Sequence, residues 1–449
     1  MTDIAGRSIA VLGAAKSGIA AANLLVEAGA GRVVLSDLRS IDDLDISSLS
    51  KEVELVTGHN DLADAELVVA SPGVPPTARP LIEAARGGLP IWSEPELAYR
   101  LMPDHVRLLA ITGTDGKSTV TTMLGHIERM AGRTRAGRRP VWEGGNLGVP
   151  FCQGVLDGLL DRPEARAVVE VSCFQLLHIA EFRPHVAALL NVAEDHLDVH
   201  GDIESYAQAK ARIFENMRAP DDIAVYRVDD ARCAAAVDAS AAKQVPFALT
   251  PQVLAFWAAR PDPLPALGTH NILNAEAAVL MAEADGIDRE DAADALATYR
   301  PLPHRLELIV DDPDTGIRWI NDSKATNAHA AAAGLRSLAA DAASRGGGLI
   351  LLAGGVDKGL SLAPLVAAAR EAGVRHAVAY GAIRERLAIT LNGPLSSVRE
   401  VETLEDAVDI ARQVALRGDT VVLAPACSSF DQFKGYGERG ETFRNLVTS

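Results

Sequence analysis

Cysteine is scarce in this sequence of 449 residues, which contains only Cys152, Cys173, Cys233 and Cys427. No two of these residues form a CxxC pair, the spacing that zinc sites and redox sites often use. The cysteine pattern therefore predicts neither a zinc knuckle nor a disulfide framework.

Positive charge is also in short supply, because 43 Lys and Arg residues stand against 60 Asp and Glu residues and the formal net charge is −17. Proteins that bind nucleic acids usually present a basic surface to the phosphate backbone. The charge balance therefore predicts no nucleic-acid partner. It leaves room for small anionic ligands, since a few glycine loops and lysines can bind phosphate inside an acidic protein.

Long apolar runs are missing as well. The sequence begins MTDIAGRSIAVLG and enters a strand-like run directly, without the basic region and apolar core that form a signal peptide. Elsewhere, charged residues, glycine or proline interrupt each apolar stretch before it reaches membrane-spanning length. We therefore expect a cytoplasmic protein that does not use a membrane as a partner.

Strand patterns alternate with helix patterns along the chain, which predicts parallel sheets covered by helices on both faces. A chain of 449 residues is too long for one hydrophobic core. Prolines at position 103 and in the string PLPHRLELI mark two junctions. We predict three α/β domains, at residues 1–103, 104–303 and 304–449.

The string ITGTDGKST is the strongest local motif in the sequence. A predicted strand ends at its start, and Gly113 and Gly116 allow the backbone to curl so that successive N–H groups point inward at a phosphate. Lys117 can reach the outer phosphates of a nucleotide, and the hydroxyl of Ser118 or Thr119 can bind Mg²⁺. Isoleucine stands where the standard GxxxxGKS pattern has its first glycine. A plain glycine turn beside a lysine is the alternative interpretation.

The N-terminal string GAAKSG is similar to the dinucleotide-binding pattern GxGxxG, but Ala15 replaces the middle glycine. That position needs glycine where the backbone touches a pyrophosphate closely. Asp37 ends the second predicted strand, as a ribose-binding acid does, and Arg39 follows it. Three interpretations remain open at this point: an NAD(P) site, a nucleotide that binds differently, and a packing turn.

Two polar strings, EVSCFQ and NVAEDHLDVH, follow predicted strands of the central segment. Ligands of open α/β sheets collect at the carboxyl ends of the strands. Glu170 and His196 are therefore candidate metal ligands that face the loop carrying Lys117. The alternative is structural, with a salt-bridged glutamate and a histidine that caps a helix.

Taken in order, these and further strings resemble the Mur ligases, a family of bacterial peptidoglycan synthesis. The resemblance covers nearly the whole chain, and it rests on the strings GAAKSG, SPG, GTDGKST, EGGNLG, EVSCFQL, NVAEDHLD, AKARIF, THNILNAEAA, PLPHRLE, NDSKATN, GGVDKG and APACSSFDQFKGYGERG. It implies a Rossmann-like N-terminal domain, a P-loop-like central ATPase domain and a Rossmann-like C-terminal domain.

The resemblance also implies a set of binding residues. In the N-terminal domain, UDP would contact Ser17, Asp37, Arg39 and Gly73, and the substrate's diphosphate would contact Asn146. ATP would contact Gly113, Thr114, Asp115, Gly116, Lys117, Ser118, Thr119, Asn271, Arg305 and Asp322. Asp115 departs from the family pattern, because asparagine is more common there.

Two Mg²⁺ ions and a modified lysine belong to the same expectation. The implied metal ligands are Ser118, Thr119, Glu170, His196 and Lys210. Lys210 matches a lysine that the family carries as a carbamate, and Lys117, His196 and Lys210 are the implied catalytic residues. Without the resemblance, Lys210 would be interpreted as a solvated helix lysine.

The C-terminal strings favour a ligase that adds D-glutamate to UDP-N-acetylmuramoyl-L-alanine through an acyl phosphate. The implied amino-acid site comprises Lys324, Thr326, Lys358, Ser429, Phe430 and Tyr436. We also expect a monomer. The rival hypotheses are a sibling ligase that adds another amino acid, such as L-glutamate, a nicotinamide-dependent oxidoreductase, and a nucleotide-binding protein without catalysis.

Overall fold

The computed structural model describes residues 4–62, 64–134, 137–146, 148–262, 264, 268–357, 359 and 361–449. The chain forms two compact units. The first takes in the described residues of 1–262 together with 273–299, and the second takes in those of 263–272 and 300–449. Within the described residues, the structure has no helix that is both long enough and apolar enough to cross a membrane.

The first sheet of the first unit is parallel throughout, with the strand order β3-β2-β1-β4-β5. Its central strands are almost wholly buried and read as continuous apolar runs, as strands covered on both faces do. The strands are β1 (Ser8–Leu12), β2 (Arg32–Asp37), β3 (Glu54–Thr57), β4 (Leu67–Ala70) and β5 (Ile91–Ser93). The helices are α1 (Lys16–Glu27), α2 (Arg79–Arg86) and α3 (Glu94–Leu101).

The second sheet of this unit is also parallel, with the order β13-β12-β11-β6-β10-β9. Its strands are β6 (Arg107–Thr112), β9 (Val141–Gly145), β10 (Arg166–Glu170), β11 (Val186–Leu189), β12 (Arg218–Arg227) and β13 (Ala241–Phe247), and a small antiparallel pair is formed by β7 (Arg133–Thr134) and β8 (Gly137–Arg138). The helices are α4 (Lys117–Met130), α5 (Phe151–Leu156), α6 (Cys173–Leu176), α7 (Leu197–His200), α8 (Ile203–Ala211), α9 (Ala231–Asp238), α10 (Pro251–Ala258), α11 (Thr269–Ala284) and α12 (Arg289–Leu296).

The sheet of the second unit has the order β14-β15-β19-β16-β17-β18. Its strands are β14 (Glu307–Asp311), β15 (Arg318–Asn321), β16 (Leu349–Gly354), β17 (Val374–Tyr380), β18 (Val398–Glu400) and β19 (Thr420–Ala426). The helices are α13 (Ala328–Ser344), α14 (Ala363–Glu371), α15 (Arg384–Asn392), α16 (Leu404–Val414) and α17 (Tyr436–Thr448).

The edge strand β14 corrects the expectation of purely parallel sheets, because it pairs antiparallel with β15. The two strands are joined directly by a short turn, in which the backbone N–H of Gly316 donates to the carbonyl of Asp312. A connection this short permits only an antiparallel pair, since parallel neighbours need a crossover. The other strand pairs of the three large sheets are parallel, and each of these sheets lies within one predicted segment.

Buried carboxylates join the first two sheets to each other. Glu96, at the start of α3, is buried and accepts hydrogen bonds from the backbone N–H groups of Ala180 (3.0 Å) and Phe182 (2.8 Å). The neighbouring Glu94 accepts from the backbone N–H of Cys152 at the start of α5 (2.5 Å), and burial raises the pKa of Glu94 to about 7. Two acidic side chains thus satisfy backbone donors of the adjacent domain.

A buried ionic cluster lies at the opposite edge of the second sheet from the GTDGKST loop, where strands β6 and β10 begin. The Asp285 carboxylate accepts from Arg107 (2.5 Å) and Arg139 (2.8 Å), and Arg166 also donates to it. Arg139 in addition pairs with the buried Glu128 at 2.6 Å. Asp285 therefore pairs with three arginines that start strands or lie beside them.

We predict that Asp285→Asn destabilises the first unit by roughly 3 kcal/mol, because breaking a buried ion pair leaves uncompensated charge in the interior. Chemical denaturation with circular dichroism measures the shift. The matched control is Arg79→Ala, which removes a solvent-exposed pair with Glu83 and should leave the unfolding midpoint unchanged. Equal midpoints for the Asp285 variant and the wild type would contradict the structural role of this cluster.

Candidate active site

The loop between β6 and α4 has the shape of an anion site. Gly116 precedes the helix with φ of 83° and, having no side chain, cannot itself cap the amides of the first turn. A Cβ atom at Gly116 would lie 2.5 Å from Oδ1 of Asn274, so the close approach requires glycine. Backbone donors and the positive end of the helix dipole thus face the same space.

Asn191 fixes this loop in place. Its Oδ1 accepts from the backbone N–H groups of Thr114 (3.1 Å) and Asp115 (2.8 Å), and its Nδ2 donates to the carbonyl of Asp115 (3.0 Å). Asn191 follows strand β11 in the string NVAEDH and was not among the predicted site residues. Its place at a strand end was the one available signal, and its partners became apparent only in the fold.

Two lysines converge on one backbone carbonyl of the loop. Lys117 donates to the carbonyl oxygens of Gly113 (2.9 Å) and Thr114 (2.7 Å), and Lys210 donates to that of Gly113 (2.7 Å). The structure thus brings together two predicted catalytic residues that are far apart in sequence. It also rejects the plain interpretation of Lys210 as a solvated lysine, because this side chain is only 1% exposed.

Burial changes the chemistry of Lys210. Desolvation, together with the nearby charge of Lys117, lowers the pKa of the Lys210 amine to about 7. The Nζ atom lies 4.4 Å from the centre of the Tyr206 ring, and the Tyr206 hydroxyl accepts a hydrogen bond from the Thr114 hydroxyl (3.3 Å). An amine in these surroundings is substantially neutral at neutral pH and is therefore nucleophilic.

Glu170 ends β10, the strand that pairs with β6 beside the loop. Its Oε1 accepts from Nδ2 of Asn146 (2.9 Å), which brings together two predicted site residues. Its Oε2 is buried and has no hydrogen-bond partner among the described residues. A buried carboxylate oxygen left in this way costs free energy unless something else binds it.

His196 lies at the start of α7 with a left-handed backbone, φ 53°. Its ring packs edge-on against Phe174 with 4.9 Å between ring centres, and lies 6.4 Å from the ring of Tyr206. Because Tyr206 also contacts Thr114 and Lys210, His196 is connected to the loop through the Tyr206 ring. Cys173 is buried nearby, and burial raises the pKa of its thiol, which disfavours a thiolate nucleophile.

In the N-terminal domain, the predicted UDP residues surround the β1–α1 turn. The Asp37 carboxylate accepts from the backbone N–H of Ala14 (2.7 Å) and from the guanidinium of Arg39 (2.9 Å), and Arg39 lowers the pKa of Asp37 to about 2. Ser17 is half-buried in the first turn of α1, whose N-cap residue makes no side-chain hydrogen bond. Gly73 lies in the loop after β4.

Several residues that are predicted to bind ATP or the amino-acid substrate lie in the second unit. The Lys324 amine lies 3.9 Å from the centre of the Tyr436 ring, which brings these two predicted residues together. Oδ1 of Asp322 accepts from the backbone N–H of Leu306, the residue after Arg305. The remaining predicted residues range from the buried Ser429 and Asn271, through the half-buried Thr326, to Phe430, which is 72% exposed. Lys358 lies outside the described residues.

Comparison with known proteins assigns the chain to a protein family. Three family models match consecutive parts of the chain: the MurD-like N-terminal domain at residues 7–93, the Mur ligase middle domain at 111–262, and the Mur ligase glutamate ligase domain at 304–427. The UDP-N-acetylmuramoylalanine–D-glutamate ligase of Geobacter metallireducens is 38% identical over 472 residues, covering 100% of this chain and 98% of the relative. The chain belongs to the Mur ligase family.

Other Mur ligases agree with this assignment. The enzyme of the same name from Anaeromyxobacter dehalogenans is 38% identical, covering 99% of this chain and 98% of the relative. Among solved structures, MurF from Acinetobacter baumannii has a TM-score of 0.60 at 19% identity, covering 100% of this chain and 93% of MurF. The ligase MurC from Thermotoga maritima has a TM-score of 0.55 at 18% identity, and the match covers 99% of this chain and 100% of MurC. The predicted family and the three-domain α/β fold are thereby confirmed.

We predict that Gly116→Ala in this Mur ligase destabilises the fold by at least about 1 kcal/mol more than Gly29→Ala. The two glycines have nearly the same φ, 83° and 80°, so each substitution places an alanine in the left-handed region. A Cβ at Gly29 meets open space, whereas one at Gly116 meets Asn274. Denaturation of both variants isolates the clash, and equal destabilisation would contradict the close packing of the loop.

Proposed function

We propose that this Mur ligase joins D-glutamate to UDP-N-acetylmuramoyl-L-alanine, using ATP and an acyl-phosphate intermediate. The observation that carries the proposal is the convergence of Lys117 and Lys210 on the carbonyl of Gly113 in a glycine loop that opens a helix. Full-length relatives named as D-glutamate ligases support the choice of substrates.

The loop residues would bind the phosphates of ATP. Backbone amides at the start of α4 are oriented towards one space, and Gly116 keeps that space free of a side chain. Lys117 is half-buried and reaches the loop from the first position of α4, so its charge is already placed where the outer phosphates would lie. Such preorganised charge is the main contribution a protein makes to phosphoryl transfer.

The residues present fit a divalent cation. The buried Oε2 of Glu170 has no donor in the part of the chain that the structure describes, and the hydroxyl-bearing Ser118 and Thr119 open the adjacent helix. Among the described residues, no three His, Cys, Asp or Glu side chains are grouped so as to hold a metal ion by themselves. Two Mg²⁺ would therefore share Glu170, the hydroxyls, His196, phosphate oxygens and a carbamate on Lys210. When bound, Mg²⁺ would neutralise charge on the reacting phosphate.

Lys210 would serve as a carbamate. Its neutral amine can attack CO₂, forming a C–N bond and releasing a proton, and the product carries an anionic oxygen ligand in place of a cation. This change would remove the repulsion between two neighbouring ammonium groups. The lowered pKa of Lys210 and its burial beside Lys117 support the step.

The reaction then needs no protein nucleophile. An oxygen of the alanyl carboxylate attacks the γ-phosphorus of ATP, the bond to the bridging oxygen breaks, and ADP leaves. The neutral amine of glutamate attacks the acyl carbon, and the tetrahedral intermediate expels inorganic phosphate and loses a proton to give the amide. The protein holds the reactants in line, and Lys117 stabilises the negative charge that accumulates.

The two substrates would bind in separate domains. Ser17, Asp37, Arg39 and Gly73 would contact UDP, and Asn146, held by Glu170, would contact the diphosphate. Lys324, Thr326, Lys358, Ser429, Phe430 and Tyr436 would bind glutamate, and Asn271, Arg305 and Asp322 would complete the ATP site. We propose a monomer that acts in the cytoplasm on these dissolved substrates.

We predict phosphate release and amide formation with UDP-N-acetylmuramoyl-L-alanine, ATP, Mg²⁺ and D-glutamate, and little of either with L-glutamate, L-alanine or meso-diaminopimelate. The assay couples phosphate detection to mass spectrometry of the product. Lys117→Ala should fold and lose at least about a hundredfold in turnover, since one preorganised donor contributes roughly 3 kcal/mol to a transition state.

Each outcome of that assay decides a different part of the proposal. A clear preference for L-glutamate or diaminopimelate would replace the named amino acid and leave the ligase class intact. Undiminished ligation by Lys117→Ala would contradict the assignment of the phosphate loop.

Lys358→Ala should raise the Michaelis constant for D-glutamate about ten- to a hundredfold, as loss of a charged hydrogen bond does.

We predict that the wild type carries a carbamate on Lys210, detectable by ¹³C NMR after incubation with ¹³C-bicarbonate. Because the pKa of Lys210 is about 7, the signal and the activity should both increase from pH 6 to pH 8 as the amine loses its proton. Lys210→Met should lack the signal and most of the activity. The exposed Lys243 provides the control, and Lys243→Met should keep both. A spectrum that is the same for Lys210→Met and the wild type would contradict the modification.

A further inference from the structure

Arg439, in the first turn of α17, carries a fully buried charge in the second unit. Its side chain is 0% exposed. Its Nε donates to the hydroxyl of Ser323 (2.9 Å), and its Nη2 donates to the carbonyl of the same residue (2.8 Å). Its Nη1 donates to the carbonyls of Cys427 (3.1 Å) and Gly354 (3.3 Å). One guanidinium thus makes four hydrogen bonds to three segments.

These three segments are the carboxyl ends of adjacent strands. Ser323 follows β15, Cys427 follows β19, and Gly354 ends β16. The sheet order places β19 between β15 and β16, so Arg439 spans three neighbouring strand ends. Ligands of open α/β sheets bind at such an edge.

The partners of Arg439 are all neutral. Among the described residues, no carboxylate lies within 4 Å of its guanidinium, whereas Arg166, which is also buried, pairs with Asp285. Burying a cation without a counter-ion is costly, and its hydrogen bonds to neutral groups offset only part of that cost. An apolar side chain of similar size would fill the space without this cost but could not join the three segments.

The joined segments carry several of the residues that are proposed to bind the incoming amino acid. Lys324 directly follows Ser323, and Ser429 comes two residues after Cys427. Tyr436 lies one helical turn before Arg439, and its backbone carbonyl accepts a hydrogen bond from the Ser323 hydroxyl (2.8 Å). The Lys324 amine in turn lies over the Tyr436 ring at 3.9 Å.

We propose that Arg439 is a positioning residue that holds the loops after β15 and β19 and the start of α17 in the arrangement that binds the incoming amino acid. The inference rests on the proposed function, which places that amino acid at Lys324, Ser429 and Tyr436. Arg439 itself makes no contact with substrate in this proposal. Its planar fork supplies donors in fixed directions, which the single ammonium of lysine cannot reproduce.

The test measures Michaelis constants for all three substrates in Arg439→Lys and Arg439→Ala. We expect the constant for the amino acid to increase at least tenfold in both variants, while those for ATP and the UDP substrate stay within about twofold. The control is Arg375→Ala, since Arg375 pairs with the buried Asp419 (2.9 Å) at the opposite end of the same sheet. This control should lower the melting temperature and leave all three constants unchanged.

Chemical rescue distinguishes positioning from a loss of folding. The cavity left by Arg439→Ala should accept added guanidinium at low millimolar concentration, which should lower the Michaelis constant for the amino acid at least threefold. Methylammonium, which carries the charge without the fork, should not do so. If Arg439→Ala does not fold, Arg439→Lys carries the comparison of constants alone.

Hydrogen exchange gives a readout that does not depend on activity. Arg439→Lys should increase exchange at residues 323–326 and 427–430 together, whereas Arg375→Ala should increase it near the starts of β17 and β19. If the wild type ligates a different amino acid, the glutamate assignment fails and the constants for that amino acid decide the role of Arg439. Equal changes for all substrates, or unchanged exchange in both loops, would overturn the inference.

Discussion

The carbonyl oxygen of Gly113 accepts hydrogen bonds from the amines of both Lys117 and Lys210, and the rest of the site depends on this shared contact. Burial of Lys210, and after it the nearby charge of Lys117, lowers the pKa of the Lys210 amine to about 7. The contact requires β6, α4 and α8 to meet at one point. In this buried position the Lys210 amine is a reactive nucleophile, unlike the amine of a solvent-exposed lysine.

The same edge geometry recurs in both units. In the first, Glu170 ends β10 and Asn191 follows β11, the two strands on either side of β6. Oε2 of Glu170 has no hydrogen-bond donor within the described ranges, and Asn191 fixes the loop backbone. In the second, Arg439 joins the ends of three adjacent strands. Parallel strands end at a common edge, so short loops after several of them can contribute to one site.

Buried polar groups also hold the scaffold behind these edges. The Asp285 cluster lies at the amino ends of the central strands, and Glu94 and Glu96 satisfy backbone donors of the neighbouring domain. Such groups stabilise one arrangement because any displacement leaves a buried charge or donor without a partner. The strands that carry the site residues at the opposite edge of the central sheet are therefore held in fixed positions.

The sequence by itself determined the α/β class, the main strand–loop–helix units and the glycine loop that opens α4, because apolar runs, glycine turns and the GKST string are local features. It also determined the family, because many short strings occur in order along the whole chain. It did not determine the antiparallel direction of β14, the bond between Asn191 and the loop, or the burial of Lys210 and Arg439. Those properties depend on which strands become neighbours and on how much water is excluded, and only the tertiary structure decided them.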